Sequence, residues 1–304
     1  LILRGALKVN ESKGKHLITS KIEHSTVLKT CQALEKEGYE VTYIDVTERG
    51  VIDLEQLKNA IRNDTVAISV MYVNNETGVV QPIDEIAKMI EGKGIVLHTD
   101  AIQGVGKEMI LPKKQGIHAL SAAAHKFYGP KGTGFLYLDQ NYMIEKEITG
   151  GSQERNRRSG TENVHGIVGM AKALKIVYSD MEEEQAKEKE MQIYLEEALK
   201  EEICNIKINC GNSRRISSVV NITLEDCNVQ TLMVALDMEG ICVSGGSACM
   251  SGAMETSHVL KAMGASEEDL KSSIRVSIGR YNTKDEIDIF IQKLKEIVAR
   301  ERAK

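Results

Sequence analysis

The sequence predicts an α/β fold: a mostly parallel sheet sandwiched by helices, followed by a smaller C-terminal α+β domain. Three observations predict it. Short apolar, β-branched runs at residues 17–22, 41–46, 66–73 and 94–97 have the length and composition of buried strands. Helical patterns alternate with these runs, and alternation of strand and helix implies parallel pairing with crossover helices. After a long charged helical stretch at residues 164–202, the pattern restarts as strand, helix, strand, helix at 216–223, 229–238, 273–278 and 284–299. The large domain is therefore assigned to residues 1–180 and the small one to 181–304.

Composition narrows the class. A chain of 304 residues, 42% hydrophobic, can bury a substantial core. Its net charge of −5 is made of interspersed acids and bases, so no basic face for nucleic acid is expected. No apolar run approaches the length of a membrane span, and no signal peptide is visible. The six cysteines, Cys31, Cys204, Cys210, Cys227, Cys242 and Cys249, form no CxxC pair. That spacing fits free thiols in a reducing cytosol better than a disulfide framework or a zinc site, so a cytoplasmic protein without a metal is expected.

The elements follow in order. Residues 1–7 form a helix-like apolar run with no cap before it. The strand at 17–22 leads into Glu23-His24-Ser25, with Ser25 the expected N-cap of a helix through Leu34. His24 then lies at a strand end; taken alone, such a histidine is most simply a surface residue bonded to the next helix. After the strand at 41–46, residues 54–61 carry apolar positions at helical spacing. The strand at 66–73 ends in Asn74-Asn75-Glu76-Thr77-Gly78, which is turn chemistry first, though an amide there could also reach a cofactor oxygen. Residues 82–90 supply the crossover helix to the run at 94–97.

The stretch His98–Gly134 carries the chemistry. The run at 94–97 delivers Asp100 to the carboxyl edge of the sheet, where open α/β sheets build their sites. A second run ends in Ala122-Ala123-Ala124-His125-Lys126, followed by a Gly/Pro-rich turn that a flat ligand can approach. Alone, Asp100 reads as a helix N-cap and Lys126 as a solvated loop charge. Together they suit pyridoxal phosphate (PLP), which needs a lysine for its aldehyde and a carboxylate to keep its pyridine nitrogen protonated. Gln103 is spaced to reach the phenolic oxygen of the same ring.

Two further centres stand downstream. Gly150–Thr161 is a basic, glycine-rich loop, either a solvated connection or a phosphate site built from backbone amides, arginine and the Thr161 hydroxyl. Cys249 lies among small polar residues in SGGSACMSGA, unlike the other five cysteines, which read as inert buried thiols. A free thiol of pKa about 8.5 is already partly thiolate near neutrality. Arg275 falls inside a strand, where an arginine is costly unless paired, either with an internal acid or with a bidentate substrate carboxylate.

HTDAIQ, AHKFYGPKGTGFLYL, VNNETG, ERNRRSGT, SGGSACMSG and IRVSIGR together make the chain resemble the cysteine desulfurases of the NifS/IscS type, class V aminotransferases of PLP fold-type I. The resemblance implies conversion of L-cysteine to L-alanine, with sulfur passing to a persulfide on Cys249. It implies catalytic Lys126, Cys249 and His24, the last stacking on the cofactor ring. It implies cofactor contacts from Asp100, Gln103, Asn75, His24, His125 and Thr161, and substrate contacts from Arg275 and Asn75. Thr161 would act across a homodimer, on the partner's cofactor phosphate. An iron–sulfur scaffold or a tRNA-thiolation relay would accept the sulfur. Two positions depart from the family's pattern: Ala123 replaces a serine whose hydroxyl binds phosphate, and Met250 follows the cysteine. The start at Leu1 also omits the N-terminal segment and phosphate turn of the family, so a truncated chain with a weakened cofactor pocket is expected. A selenocysteine lyase, another fold-type I enzyme such as an aminotransferase, and a non-catalytic dimerising fragment are the alternative readings.

Overall fold

A computed structural model describes residues 1–246 and 256–303. The backbone divides into two compact units. The first comprises Leu1–Val46, Val51–Asn74 and Gln81–Met181; the second comprises Thr47–Gly50, Asn75–Val80 and Glu182–Lys304. Two short segments from the first half of the chain thus join the second unit, because strand ends and turns there hydrogen-bond to residues near 215 rather than to their sequence neighbours.

The first unit opens with α1 (Ile2–Val9), β1 (His16–Ser20), α2 (Ser25–Lys36), β2 (Glu40–Ile44), α3 (Leu54–Ala60), β3 (Thr65–Ser69), α4 (Ile83–Ile90), β4 (Val96–Asp100) and β5 (Ala119–Ala123). It continues with a 3₁₀ turn at Ala124–Lys126, β6 (Gly134–Leu138), a short α5 (Gln153–Asn156) and α6 (Val164–Ser179). The six strands form one sheet in the order β2-β1-β3-β4-β5-β6, parallel except for β6, which runs antiparallel to β5. Strand order reverses at β1, which puts the topological switch point at the loops following β1 and β3.

β1, β3 and β4 are buried at every position. Their polar residues are satisfied by one another: His16 joins Thr65 and Thr42 at 2.8 and 2.9 Å, and His98 joins Ser69 and Ser121, each at 2.9 Å. Each imidazole is a peg between adjacent strands, so a polar side chain in a buried sheet retains both its hydrogen bonds. Leu7, Leu17, Val27, Cys31, Leu34, Val66 and Val96 pack one face of the sheet.

The second unit holds most of α7 (Met181–Glu202), then β7 (Ile206–Asn209), β8 (Val219–Leu224), α8 (Val229–Met238), α9 (His258–Ala262), α10 (Glu267–Lys271), β9 (Ser273–Ser277) and α11 (Lys284–Arg302). The sheet is antiparallel, β7-β8-β9. Leu195, Leu199, Val220, Ile222, Leu232, Leu236, Ile274 and Leu294 form its core.

Several expectations need correction. The cap of α2 is His24, not Ser25: the chain enters the helix with His24 extended and its Nδ1 accepting from Thr26 N at 3.2 Å. The stretch at 164–202 is two helices broken at Asp180, where the Ser179 hydroxyl bonds Ile176 O at 2.8 Å and the Asp180 carboxylate at 2.7 Å in competition with the backbone ladder. Cys204 and Cys242 are exposed rather than buried, since both sit on connections beyond helix ends; Cys31 and Cys227 are buried. Burial pushes the Cys31 thiol up to about 12 and the Cys210 thiol up to about 11, which keeps both protonated. Among the described residues no helix is long and apolar enough to cross a membrane.

Candidate functional site

The carboxyl edge of the first sheet gathers the groups that the sequence marks. β4 ends on Asp100, which is only 6% exposed. One carboxylate oxygen, Oδ1, accepts from Ile102 N at 3.0 Å, so Asp100 closes an Asx turn rather than capping a helix. Burial raises its pKa, while the bond from Ile102 and the nearby His24 imidazole work in the opposite direction. A positive partner favours the ionised form of such a buried carboxyl, and that is what a protonated pyridine nitrogen offers.

His24 is half-buried and reaches this edge from the turn after β1. Nδ1 must accept from the Thr26 backbone N–H, with the Thr26 hydroxyl 2.7 Å away. The ring proton of this tautomer is therefore on Nε2. Gln103, also half-buried, follows in the turn that Asp100 initiates.

β5 pairs with β4 so that Asp100 lies opposite Ser121. Five residues beyond Ser121, the 3₁₀ turn carries Lys126 off the sheet edge. Phe127, 2% exposed, turns into the core and anchors the turn. Gly129 completes the reversal: its N–H bonds Ala124 O at 2.8 Å, and a Cβ there would lie 2.9 Å from the Ala124 methyl. Tyr128 sits in the left-handed region at φ 64°. His125 and Lys126 are exposed. The burial that would activate a lysine nucleophile is thus not provided by the turn itself, because its short radius turns the apolar side chain inward and both bases outward.

Thr161 is also exposed, on the wall of an open cleft of about 930 Å³ lined by Thr133, Arg155, Arg157 and Arg158. The left-handed backbone at Glu154, Arg155 and Asn156 bends the basic loop around this cleft. Thr133 Oγ1 is buried there without a hydrogen-bond partner.

In the second unit, Arg275 of β9 donates from Nη1 to the Asn75 carbonyl at 2.9 Å. The backbone of Arg275 forms an isolated bridge with Ser244. Glu76, fully buried, accepts from the Ser257 hydroxyl, and its carbonyl accepts from Asn221 Nδ2 at 3.2 Å. Cys249 and Met250 lie outside the described residues. The sequence reading brought out neither Glu76 and Ser257 nor buried Glu23 and Asn74 of the first unit. Their signals were only an acid after a strand and an amide in a turn.

The residues of the first unit fit PLP in kind. Asp100 would face the ring nitrogen, Lys126 would hold the aldehyde carbon, His24 would cover the ring, and Gln103 would meet the phenolic oxygen. Phosphate donors are sparser, since Ala123 offers no hydroxyl.

The chain matches the class-V aminotransferase family over residues 1–290. It is 42% identical over 302 residues to the cysteine desulfurase IscS of Clostridium botulinum, covering 99% of this chain and 76% of that protein. A solved NifS-like protein superposes with a TM-score of 0.91 at 34% identity, covering 98% of this chain and 79% of the other. The structure of SspA in complex with cysteine superposes with a TM-score of 0.79 at 35% identity, over 93% and 78% of the two chains. Because these likenesses run almost the full length of the chain and extend from sequence to backbone, the chain belongs to the class-V aminotransferases and, among them, to the PLP-dependent cysteine desulfurases.

Proposed function

We propose that the protein takes L-cysteine to L-alanine and passes the sulfur to Cys249 as a persulfide. The observation that carries this reading is the buried Asp100 carboxyl beside His24 at the sheet edge, with Lys126 on the turn after the neighbouring strand. A relative solved with cysteine supports the substrate.

When bound, PLP supplies an aldehyde for an amine and a ring that draws electrons from the substrate carbon. Asp100 keeps that ring cationic. Arg275 holds the substrate carboxylate, and the Asn75 side chain orients substrate and cofactor oxygen. Lys126 moves the Cα proton, and His24, carrying its proton on Nε2, serves as a donor. The Cys249 thiolate forms a bond to the substrate sulfur as the carbon–sulfur bond breaks; the carbon gains hydrogen and Cys249 is oxidised to the persulfide. One cysteine and one thiol thus become one alanine and one persulfide, with no further oxidant.

In this reading residues 1–180 hold the cofactor, and residues 181–304 supply Arg275 and Cys249. Two copies of the chain associate, with Thr161 of each, aided by His125, serving a cofactor phosphate. The protein is cytoplasmic, and an iron–sulfur scaffold or a sulfur-relay protein receives the persulfide sulfur. Cys249→Ser tests the central step. It should abolish sulfide release while sparing the visible absorbance of bound PLP, and Lys126→Ala should remove that absorbance. Sulfide release retained by Cys249→Ser would sink the assignment.

A further inference from the structure

Glu23 is completely buried, yet none of the roles above uses it. Its Oε1 accepts from Ser20 Oγ at 2.5 Å, at the end of β1, and from Met71 N at 2.9 Å, on the chain leaving β3. Asn74, equally buried, returns the tie: its Nδ2 donates to the Ile22 carbonyl at 3.1 Å. The loops after β1 and β3 are therefore joined twice, once in each direction, at the point where the strand order reverses. His24 is the next residue along the first loop.

A carboxyl is an expensive choice for closing a buried turn, because burial disfavours its charged form. Asp100 from β4 adds like-charge repulsion, Cys31 from α2 faces the same space, and His24 is its chain neighbour. Burial first, then Asp100, pushes the Glu23 carboxyl up to about 8, against the opposing bonds from Ser20 and Met71. A neutral acid here has the hydrogen-bonding capacity of an amide, one oxygen that accepts and one group that donates.

We propose that Glu23 and Asn74 are positioning residues for His24: their reciprocal bonds clasp the two loops and hold the imidazole toward Asp100 with Nδ1 seated on the first turn of α2. Without the clasp, His24 keeps its helix cap only while the loop after β1 happens to keep its path. The inference rests on the reading that His24 serves the reaction.

The test is a double-mutant cycle in the holoenzyme, reading exchange of the substrate Cα hydrogen with deuterium oxide. Glu23→Ala and Asn74→Ala should each slow exchange by about tenfold, the scale of one lost hydrogen bond between neutral groups. Glu23→Gln should restore most of the rate. In a His24→Ala background, either alanine change should cost less than about twofold, since residues acting through one group are not additive. On the substrate-free holoenzyme, the ring-nitrogen NMR signals of His24 should lose the Nδ1-acceptor pattern in Glu23→Ala and keep it in Glu23→Gln. If Glu23→Ala does not fold, the Asn74→Ala cycle decides alone. Equal costs in both backgrounds, or unchanged His24 signals, would overturn the clasp. An unimpaired His24→Ala enzyme would instead remove His24 from the reaction, and the clasp with it.

Discussion

Arg275 and Asn75 are 200 residues apart in sequence, and the Arg275 guanidinium donates to the Asn75 carbonyl at 2.9 Å. This contact ties the arginine to the turn that carries Asn75, the residue proposed with it to meet the substrate, and a guanidinium held at that place suits the bidentate pairing of a carboxylate. Arg275→Ala should raise KM for L-cysteine by about 10- to 100-fold, the range of a charge-assisted pair of 1.5–3 kcal/mol. Arg275→Lys should recover only part of it, because an ammonium cannot make the bidentate fork. Steady-state kinetics check this; a KM unchanged in Arg275→Ala would assign the carboxylate to another residue.

Asp100→Asn separates the carboxyl's charge from its shape. Asparagine keeps the oxygen that accepts from Ile102 N, so the Asx turn and the fold should survive. The ionic partner of the pyridine nitrogen is lost, and turnover should fall by at least about 100-fold, roughly 2.7 kcal/mol. Thermal melting within a few degrees of wild type, alongside that loss, identifies charge as the cause. Turnover close to wild type would show that the ring does not depend on Asp100.

Much of this architecture was legible in the sequence, for identifiable reasons. β1, β3 and β4 announce themselves by β-branched runs, and α8 and α11 by Asn228 and Thr283 caps, the second a capping box with Glu286. Asp100 and Lys126 could be picked out because each follows a recognisable strand within a distinctive local pattern. β7 is four residues long, and α9 and α10 are five each, too short for periodicity to be read. Glu23 and Asn74 were not legible as a pair at all. Their partners are the backbone N–H of Met71 and carbonyl of Ile22, groups with no sequence signature, brought together by the order of β1 and β3. Whether Lys126 is a solvated charge or lies against a ligand was not decided by the sequence for a related reason: which way a 3₁₀ turn points its side chains depends on Phe127 finding the core.

Ser257 does two jobs that one substitution can test. Its hydroxyl accepts from Leu260 N at 3.0 Å as the cap of α9 and donates to the buried Glu76 carboxylate. Ser257→Ala should cost about 2–4 kcal/mol, the sum of a lost cap and a buried acceptor deprived of a donor. Ser257→Thr should lose much less. Thermal or urea unfolding measures the difference, and a loss below about 0.5 kcal/mol would place the Ser257 bonds among those that water replaces freely.

His98 sets an acid limit on the fold. Burial lowers its pKa from 6.5 to about 3, because a charged ring could not be accommodated between Ser69 and Ser121 in the middle of the sheet. The unfolded chain then binds a proton below pH 6.5 that the folded chain refuses until about pH 3. The unfolded state carries more protons across that window, so stability rises with pH through it and is lost as pH falls. His16, lowered by burial and by Arg62, acts in the same direction. His98→Gln should be less stable at pH 7, where a peg between strands is impaired, yet lose less stability than wild type on going from pH 7 to pH 4. Melting temperatures at matched ionic strength across that range read both effects. Parallel wild-type and His98→Gln curves would mean that acid unfolding is driven by carboxylates elsewhere, and that the neutral imidazole costs the fold nothing.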